Sequence, residues 1–557
     1  MYTNIIHNDD ICNYFLKNQQ FIFNSLGNCR ECRLKVSLVT LTFVSCSKTG
    51  ISPDIGINYE YGRNIPHEQI VLGERLDNPY TTENMTKALA SLYPTKADRV
   101  EVKATDYYVR FLPKSDQQYR MLEDMGIVML DHPMDYSIKV DGDWYHDPEI
   151  PEGEVTWQYA VVPCDFQFPD IRYEILDACF ISENSQDTKA DGIDWEEVER
   201  EAYRLTGNAD RLSDDPDTKA KKDKIKPSGR ITIVDEHSLG GKPFGVAGVK
   251  VSCNTFVKFA EAYTDRDGYY SMQKSFAADL RYRLIFQNEK GFALGFNLIL
   301  VPGSISTLGK SGPEGIDMTV TKDSEAKLFE RCVVNNAAYD YYSRCSEEDL
   351  GIDEPSSGVR IWLFNGMEAS SAPMLHHGAI LRSGLFASFL GKYAPLIEAF
   401  LPDLTIGTKG RDEYREIYSV TTHELAHASH FRRVGTDFWD KYIYYIVDSY
   451  IKSGGMTYGD GTADGAGYCE IGEMWAYYLQ SKMFKDRYGG SFPSFGNSFW
   501  FYPQIFRYLD ERGLSASEIF SVLKPEVISK EILKTSLMAA YPAKRNEIEQ
   551  VFGRYGN

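Results

Sequence analysis

Tyr418-Ser-Val-Thr-Thr-His-Glu-Leu-Ala-His-Ala-Ser-His-Phe431 decides how the C-terminal part of this chain is read. The stretch lies on a helix expected from about Asp412 to Arg433 and closed by Gly435, a residue suited to ending a helix. His423 and His427 are four apart, which sets them about 40° apart around the axis and about 6 Å apart along it. Imidazole nitrogens from consecutive turns of one face can therefore reach a single Zn²⁺ at about 2.0–2.1 Å. Glu424, one residue round from His423, can address a water beside such an ion.

This is the HExxH pattern of zinc hydrolases. Five of the ten histidines, His376, His377, His423, His427 and His430, crowd into one part of the sequence, which favours a metal site over scattered surface residues. A catalytic zinc takes three protein ligands and keeps a position open. No Gly-x-x-His follows His427, which excludes the metzincin pattern. His430, three residues on along the same helix, would distort the coordination; it reads as a support for a ligand or as a surface residue. Glu470 and Glu473 remain, sharing a face at i, i+3 of the next helix, Tyr468-Cys-Glu-Ile-Gly-Glu-Met-Trp-Ala-Tyr-Tyr-Leu-Gln480. Both can also be read as acids in an exposed first helical turn, favoured there by the macrodipole.

A glutamate from a downstream helix completing HExxH is the gluzincin arrangement, and Glu473-Met-Trp-Ala476 resembles the Glu-x-Trp-Ala signature of metallopeptidase-like lipoproteins. The resemblance implies a mainly helical, zincin-like domain over 312–557 in which His423, His427 and Glu473 hold Zn²⁺. Glu424 is then the general base of peptide hydrolysis. Glu473 is preferred because Met-Trp-Ala after it can pack its helix against the HExxH helix, while Glu470 caps its helix or supports a ligand histidine. Ser371–His377 reads as an edge strand for an extended peptide or as a loop. Gluzincins also imply a Tyr or His facing the developing oxyanion; with 37 Tyr, Tyr468, Tyr502 and Tyr508 among them, the sequence singles out none.

Residues 229–301 form short period-2 strands between turn signals, the pattern of a small β-sandwich. Gly229-Arg-Ile, Gly248-Val-Lys-Val and Thr264-Asp-Arg-Asp-Gly-Tyr resemble the carboxypeptidase regulatory-like family. That implies a transthyretin-like sandwich, a spacer or docking module without catalytic residues. Asp265 and Asp267 read as an Asx turn, with calcium ligation the alternative. Residues 208–228 are a charged linker. Residues 57–207 read as an N-terminal mixed α/β domain, with helices at Thr82–Leu92 and Asp194–Leu205 and strands within Val100–Phe111 and Trp157–Pro163. The expected architecture is thus multidomain, in keeping with roughly three domains for 557 residues.

Arg30, Arg33 and Lys35 precede an apolar run, Val36–Val44, and then Ser45-Cys46, the order of an export signal. It resembles the bacterial lipoprotein signal. Segment 1–46 would then hold the signal and what precedes it, with Cys46 acylated and the protein held in the cell envelope, at the outer membrane. The plain alternative is a buried strand ending in an ordinary cysteine. Ten cysteines form no disulfide or zinc-ribbon framework: Cys29 and Cys32 make a lone CxxC, and Cys332 and Cys345 either pair after export or stay buried thiols. A formal charge of -20 argues against nucleic acid or an anionic membrane surface as partner.

The sequence thus describes an exported, lipid-anchored zinc metallopeptidase acting on peptides or proteins and touching the membrane only through its anchor. The rival is a surface lipoprotein that binds glycan or protein on a peptidase-like scaffold, which the 13% aromatic content allows. Glu424 speaks against it, since a binding scaffold needs no general base. A third reading keeps the zinc and hydrolyses a bond other than a peptide.

Overall fold

The alternating apolar residues of Asp106–Leu112 (β2) place Tyr108 and the Val109–Phe111 pair in two buried layers, one on each side of the first sheet. The computed structural model describes residues 69–97, 100–151, 154–185, 192–212, 224–295, 305–346, 348–365, 367–378, 402–453, 456–489 and 499–555. The proposed signal, Cys12, Cys29, Cys32 and Cys46 lie outside these, as does most of the expected linker. Within them the protein is a multidomain mixed α/β chain.

The N-terminal unit pairs β1 (Val71–Arg75) with β3 (Tyr136–Val140), and flanks β2 with β4 (Gln158–Pro163) and β5 (Arg172–Cys179). Its helices are α1 (Thr82–Leu92), capped by Thr81, α2 (Asp116–Asp124), capped by Ser115, and α3 (Trp195–Leu205), capped by Asp194. Each cap satisfies backbone N–H groups that the first turn leaves open. The α2 helix was not expected from the sequence.

Next come β6 (Ser228–Ile233), β7 (Phe244–Gly245), β8 (Val249–Thr255), β9 (Lys258–Tyr263), β10 (Tyr269–Ser271), β11 (Leu280–Asn288), β12 (Ala293–Leu294), β13 (Ile305–Ser311) and β14 (Met318–Val320). Gly312-Pro-Glu-Gly, where the helical domain was expected to begin, is a turn inside this unit, between β13 and β14. β13 pairs antiparallel with β11, and β14 parallel with β6, so both sheets draw on residues beyond 301. Asp265 Oδ1 accepts the N–H groups of Asp267 and Tyr269, both at 2.9 Å, which is the Asx turn. Leu212 and Ile225, at the ends of the expected linker, bridge to Ala278 and Phe276 of the same unit.

The C-terminal unit holds α4 (Ala326–Arg344), β15 (Arg360–Phe364), β16 (Leu404–Gly407), α5 (Tyr414–Val434), α6 (Thr436–Ser453) and α7 (Ala466–Tyr488). Four shorter helices follow, α8 (Gln504–Asp510), α9 (Ala516–Ser521), α10 (Lys530–Ala540) and α11 (Arg545–Gly553). One pairing ties it to the central unit, β12 with β15, and β16 extends the same sheet beside β15; both pairings are parallel, in one sheet of seven strands. One apolar core runs from Ile231 to Phe552 through both units.

Polar contacts also join the central unit to the C-terminal one. Buried Asp235, just past β6, accepts from Arg487 Nη2 at 3.1 Å and from Tyr488 Oη at 2.9 Å. The Arg487 guanidinium in turn lies 5.3 Å from the Phe244 ring, 4.9 Å from Tyr414 and 5.0 Å from Tyr418. Cation–π contacts of this kind join β7 to both long helices.

Cys332 and Cys345 are free. Thirteen residues along α4 separate them by about 20 Å, far beyond the Cα spacing of about 4.4–6.8 Å that a disulfide spans. No helix among the described residues is long and apolar enough to cross a membrane.

Candidate metal centre

The α5 helix begins with a capping box, in which the side chains of Glu413 and Glu416 each take a backbone N–H of the other, and Gly435 closes it at φ 78°. Several of its buried hydroxyl groups are paired. Thr421 Oγ1 donates to the Ile417 carbonyl at 2.8 Å, Tyr418 Oη to Asp340 Oδ2 at 2.6 Å, and Tyr341 Oη to Ser429 Oγ at 2.8 Å. α7 packs along α5 and is buried almost all round over Cys469–Ser481. Gly467 near its start allows contact with the Ile528 carbonyl, which a Cβ would approach to 1.8 Å. Trp475 does not bind α7 to α5 as the sequence suggested: its ring lies against Phe520 at 4.9 Å and Phe506 at 6.4 Å, on the side of the short helices.

His423, His427 and Glu473 converge, their ligand atoms all within 4.8 Å of one another and all three side chains buried. His423 Nε2 stands 3.6 Å from Glu473 Oε2, and His427 Nε2 stands 3.5 Å from Glu473 Oε1. Among the described residues, neither ring nitrogen of His427 has a hydrogen bond. Buried polar atoms left so are costly, and a divalent ion among the three donors would supply the missing partner. Two nitrogens and a carboxylate oxygen are the donor set that tetrahedral zinc takes with a fourth position open. The residues fit that ion.

Three side chains absent from the sequence reading hold this geometry. Gln480 Oε1 lies 3.2 Å from His423 Nδ1, and Gln480 Nε2 donates to Ser419 Oγ at 2.7 Å. With its amide so fixed, Gln480 accepts the Nδ1 proton and leaves the Nε2 lone pair toward Glu473. Tyr442 Oη donates to Glu473 Oε1 at 2.5 Å. Gln480 sits seven residues after Glu473, two turns on and the same face, which was the signal available. Tyr442 and Ser419 offered none.

Burial pushes the His423 pKa down, keeping the imidazole neutral and able to donate a lone pair. Burial alone would raise Glu473, but His427 and His423 beside it hold its carboxyl down at about 2. His430 is neither a ligand nor a surface residue. Its ring is fully buried 5.2 Å from Phe438 and 6.0 Å from Trp439, and burial with His427 nearby drives its pKa down to about 3.

Glu470 turns away from the cluster. Its Oε2 accepts the Lys530 N–H at 2.8 Å, holding the first turn of α10, and burial raises its pKa. His377 is engaged by Asp403 at 2.9 Å and by the Ser357 carbonyl at 3.2 Å. Its neighbour Ser371 already pairs with Thr405 of β16, so that edge is taken by the chain itself. Tyr468 packs on Phe438, and Tyr502 and Tyr508 on Tyr555. Besides Tyr442, Tyr477 stands beside the cluster: its ring is 4.5 Å from that of His423 and its hydroxyl lies 3.0 Å from Tyr458 Oη.

A cleft of about 310 Å³ opens on this cluster, lined by His423, Glu424, Ser419, Gln480, Tyr477 and Arg411 among others. Glu424, fully buried, thus shares a wall with one metal-ligating residue type and with open space for a small reactant.

No family model matches this chain, and no curated protein matches it. Among solved structures, a crystal structure of (S)-allantoin synthase is similar over 23% of this chain and 48% of that one, at 14% identity and a TM-score of 0.12.

Proposed function

We propose that the chain is a zinc-dependent peptidase of gluzincin type. The observation that carries the reading is the convergence of His423, His427 and Glu473 with Glu424 on the adjoining cleft wall. His423 and His427 hold the ion from consecutive turns of α5, and Glu473 completes the set from α7. Zinc, when bound, supplies Lewis acidity that activates water and polarises a scissile carbonyl. Glu424 takes the proton of the attacking water and delivers it to the departing amine. Gln480 and Tyr442 keep His423 and Glu473 oriented through both transfers.

The architecture that accompanies this reading is a zincin-like helical unit after a transthyretin-like sandwich of the carboxypeptidase regulatory-like kind, with a mixed α/β unit before both. Ser45-Cys46 supports a lipid anchor at Cys46 and a place in the cell envelope, at the outer membrane, with peptides or proteins as substrates.

Purified wild type and Glu424→Gln, both zinc-loaded, are offered a peptide library. Wild type is expected to cleave, and the variant to lose about 10²–10⁴-fold in rate while keeping its zinc. Undiminished cleavage by the variant would remove Glu424 as the base; no cleavage by either would remove the peptidase reading.

A further inference from the structure

The cleft in front of the cluster contains two guanidinium groups, Arg411 and Arg415. The charge of Arg415 is paired: its Nε donates to Glu413 Oε2 at 2.6 Å. Glu416, also in the lining, is spent on the capping box, its Oε2 accepting the Glu413 N–H at 3.3 Å.

Arg411 differs. It sits on the turn between β16 and α5, where Nη1 donates to two neutral acceptors, the Glu368 and Gly407 carbonyls, each at 2.7 Å. Those bonds fix the head group and spend one of its three nitrogens, while Arg411 makes no ion pair among the described residues. Burial lowers its pKa in spite of Glu416, Glu368 and Glu424 in the surroundings, as expected of a cation whose countercharge is incomplete.

Proteins place Arg where a planar, two-pronged hold on a carboxylate matters. The formal charge of -20 opposes an anionic substrate at long range. That field is screened over about 8–10 Å at physiological salt, whereas a contact in a half-buried cleft is not. The short-range contact therefore decides.

We propose that Arg411 anchors a carboxylate of the substrate, so that this site selects peptides bearing a carboxylate close to the scissile bond. The inference rests on the peptidase reading of the same cleft. The carboxylate is either an Asp or Glu side chain or the C-terminus of the peptide, and the test separates the two.

Zinc-loaded Glu424→Gln, which binds without turning over, is titrated by calorimetry with three sets of hexapeptides. In one, a single Glu is stepped through each position and both ends are blocked; the second carries Gln in its place; the third is neutral with a free carboxyl terminus. The first or third set is expected to bind at least about tenfold more tightly than the second, identifying the source of the carboxylate. Adding Arg411→Met should abolish that preference and leave neutral peptides unaffected, with zinc content unchanged; Arg411→Lys should restore part of it.

Equal affinity for all three sets, no binding of any, or an equal loss for acidic and neutral peptides in Arg411→Met would overturn the proposal. Because binding is read in a variant that does not cleave, a preference that depends on Arg411 would stand even if wild type hydrolysed none of these peptides. That result would count against the peptidase reading alone.

Discussion

Two buried polar clusters in this molecule are built from similar residue types and behave in opposite ways. At the seam between the N-terminal and central units, Lys258 Nζ meets Glu183 at 2.6 Å and Glu199 at 3.5 Å. Lys224 Nζ meets the same acids at 2.9 and 2.7 Å, and Tyr80 Oη donates to Glu199 at 2.7 Å. Two cations face two anions and the charges cancel. Around Glu473, by contrast, two imidazoles and a carboxylate converge, with their ligand atoms all within 4.8 Å of one another. The first cluster is complete as folded; the second, on the proposed reading, would be completed by a cation. Satisfied charge marks a joint, and converging acceptors mark a binding site.

Lys258→Met should break that symmetry hardest. It leaves the buried Glu199 and the partly exposed Glu183 with one lysine, and a loss of about 3 kcal/mol is expected, read as a lower urea midpoint, with zinc content unchanged. Zinc loss in this variant would show that the two clusters are not independent.

Glu473→Gln should do the reverse, weakening zinc more than about 100-fold, beyond the range typical of groups that only support a ligand, while the metal-free chain keeps its stability. Glu470→Gln should leave zinc affinity within about tenfold and cost about 1 kcal/mol of stability, because the carboxylate at the start of α10 is lost. A reversed order of zinc loss would exchange the roles of the two acids.

The smallest effect is on pH. Burial would raise Glu183, but Lys258 and then Lys224 hold its carboxyl at about 2, and Glu199 is lowered in the same way. A carboxylate with a folded pKa below its unfolded value of about 4.3 contributes stability above that value and loses it as pH falls toward 2. Hydrogen-exchange protection at the seam, taken relative to the intrinsic rate at each pH, should therefore fall between about pH 4 and 2 while changing little from pH 7 to 5.

These contrasts also separate what a sequence carries from what it does not. His423, Glu424 and His427 were legible because their geometry is local, fixed by one helix that Gly435 ends. Glu473 was legible through the Trp-Ala that follows it, although Trp475 packs elsewhere than expected. Tyr442 and Arg411 act only through tertiary placement, and no residue spacing within their own segments announces them; Gln480 was signalled only by its place two turns after Glu473 on the same helix. The joining of the two C-terminal units was hidden for a similar reason: β12 is two residues long, and its partner β15 lies more than sixty residues on. Strand pairing across that distance depends on β11 and β16 as much as on its own sequence.

The central claim is that α5 and α7 together form a zinc site. It is tested most directly by zinc bound per chain, measured by plasma mass spectrometry on the full chain after dialysis against zinc and then buffer. Wild type and Glu424→Gln should each retain about one Zn²⁺, and His423→Ala with His427→Ala should retain none. A wild-type chain without zinc, or undiminished zinc in the double variant, would contradict the account.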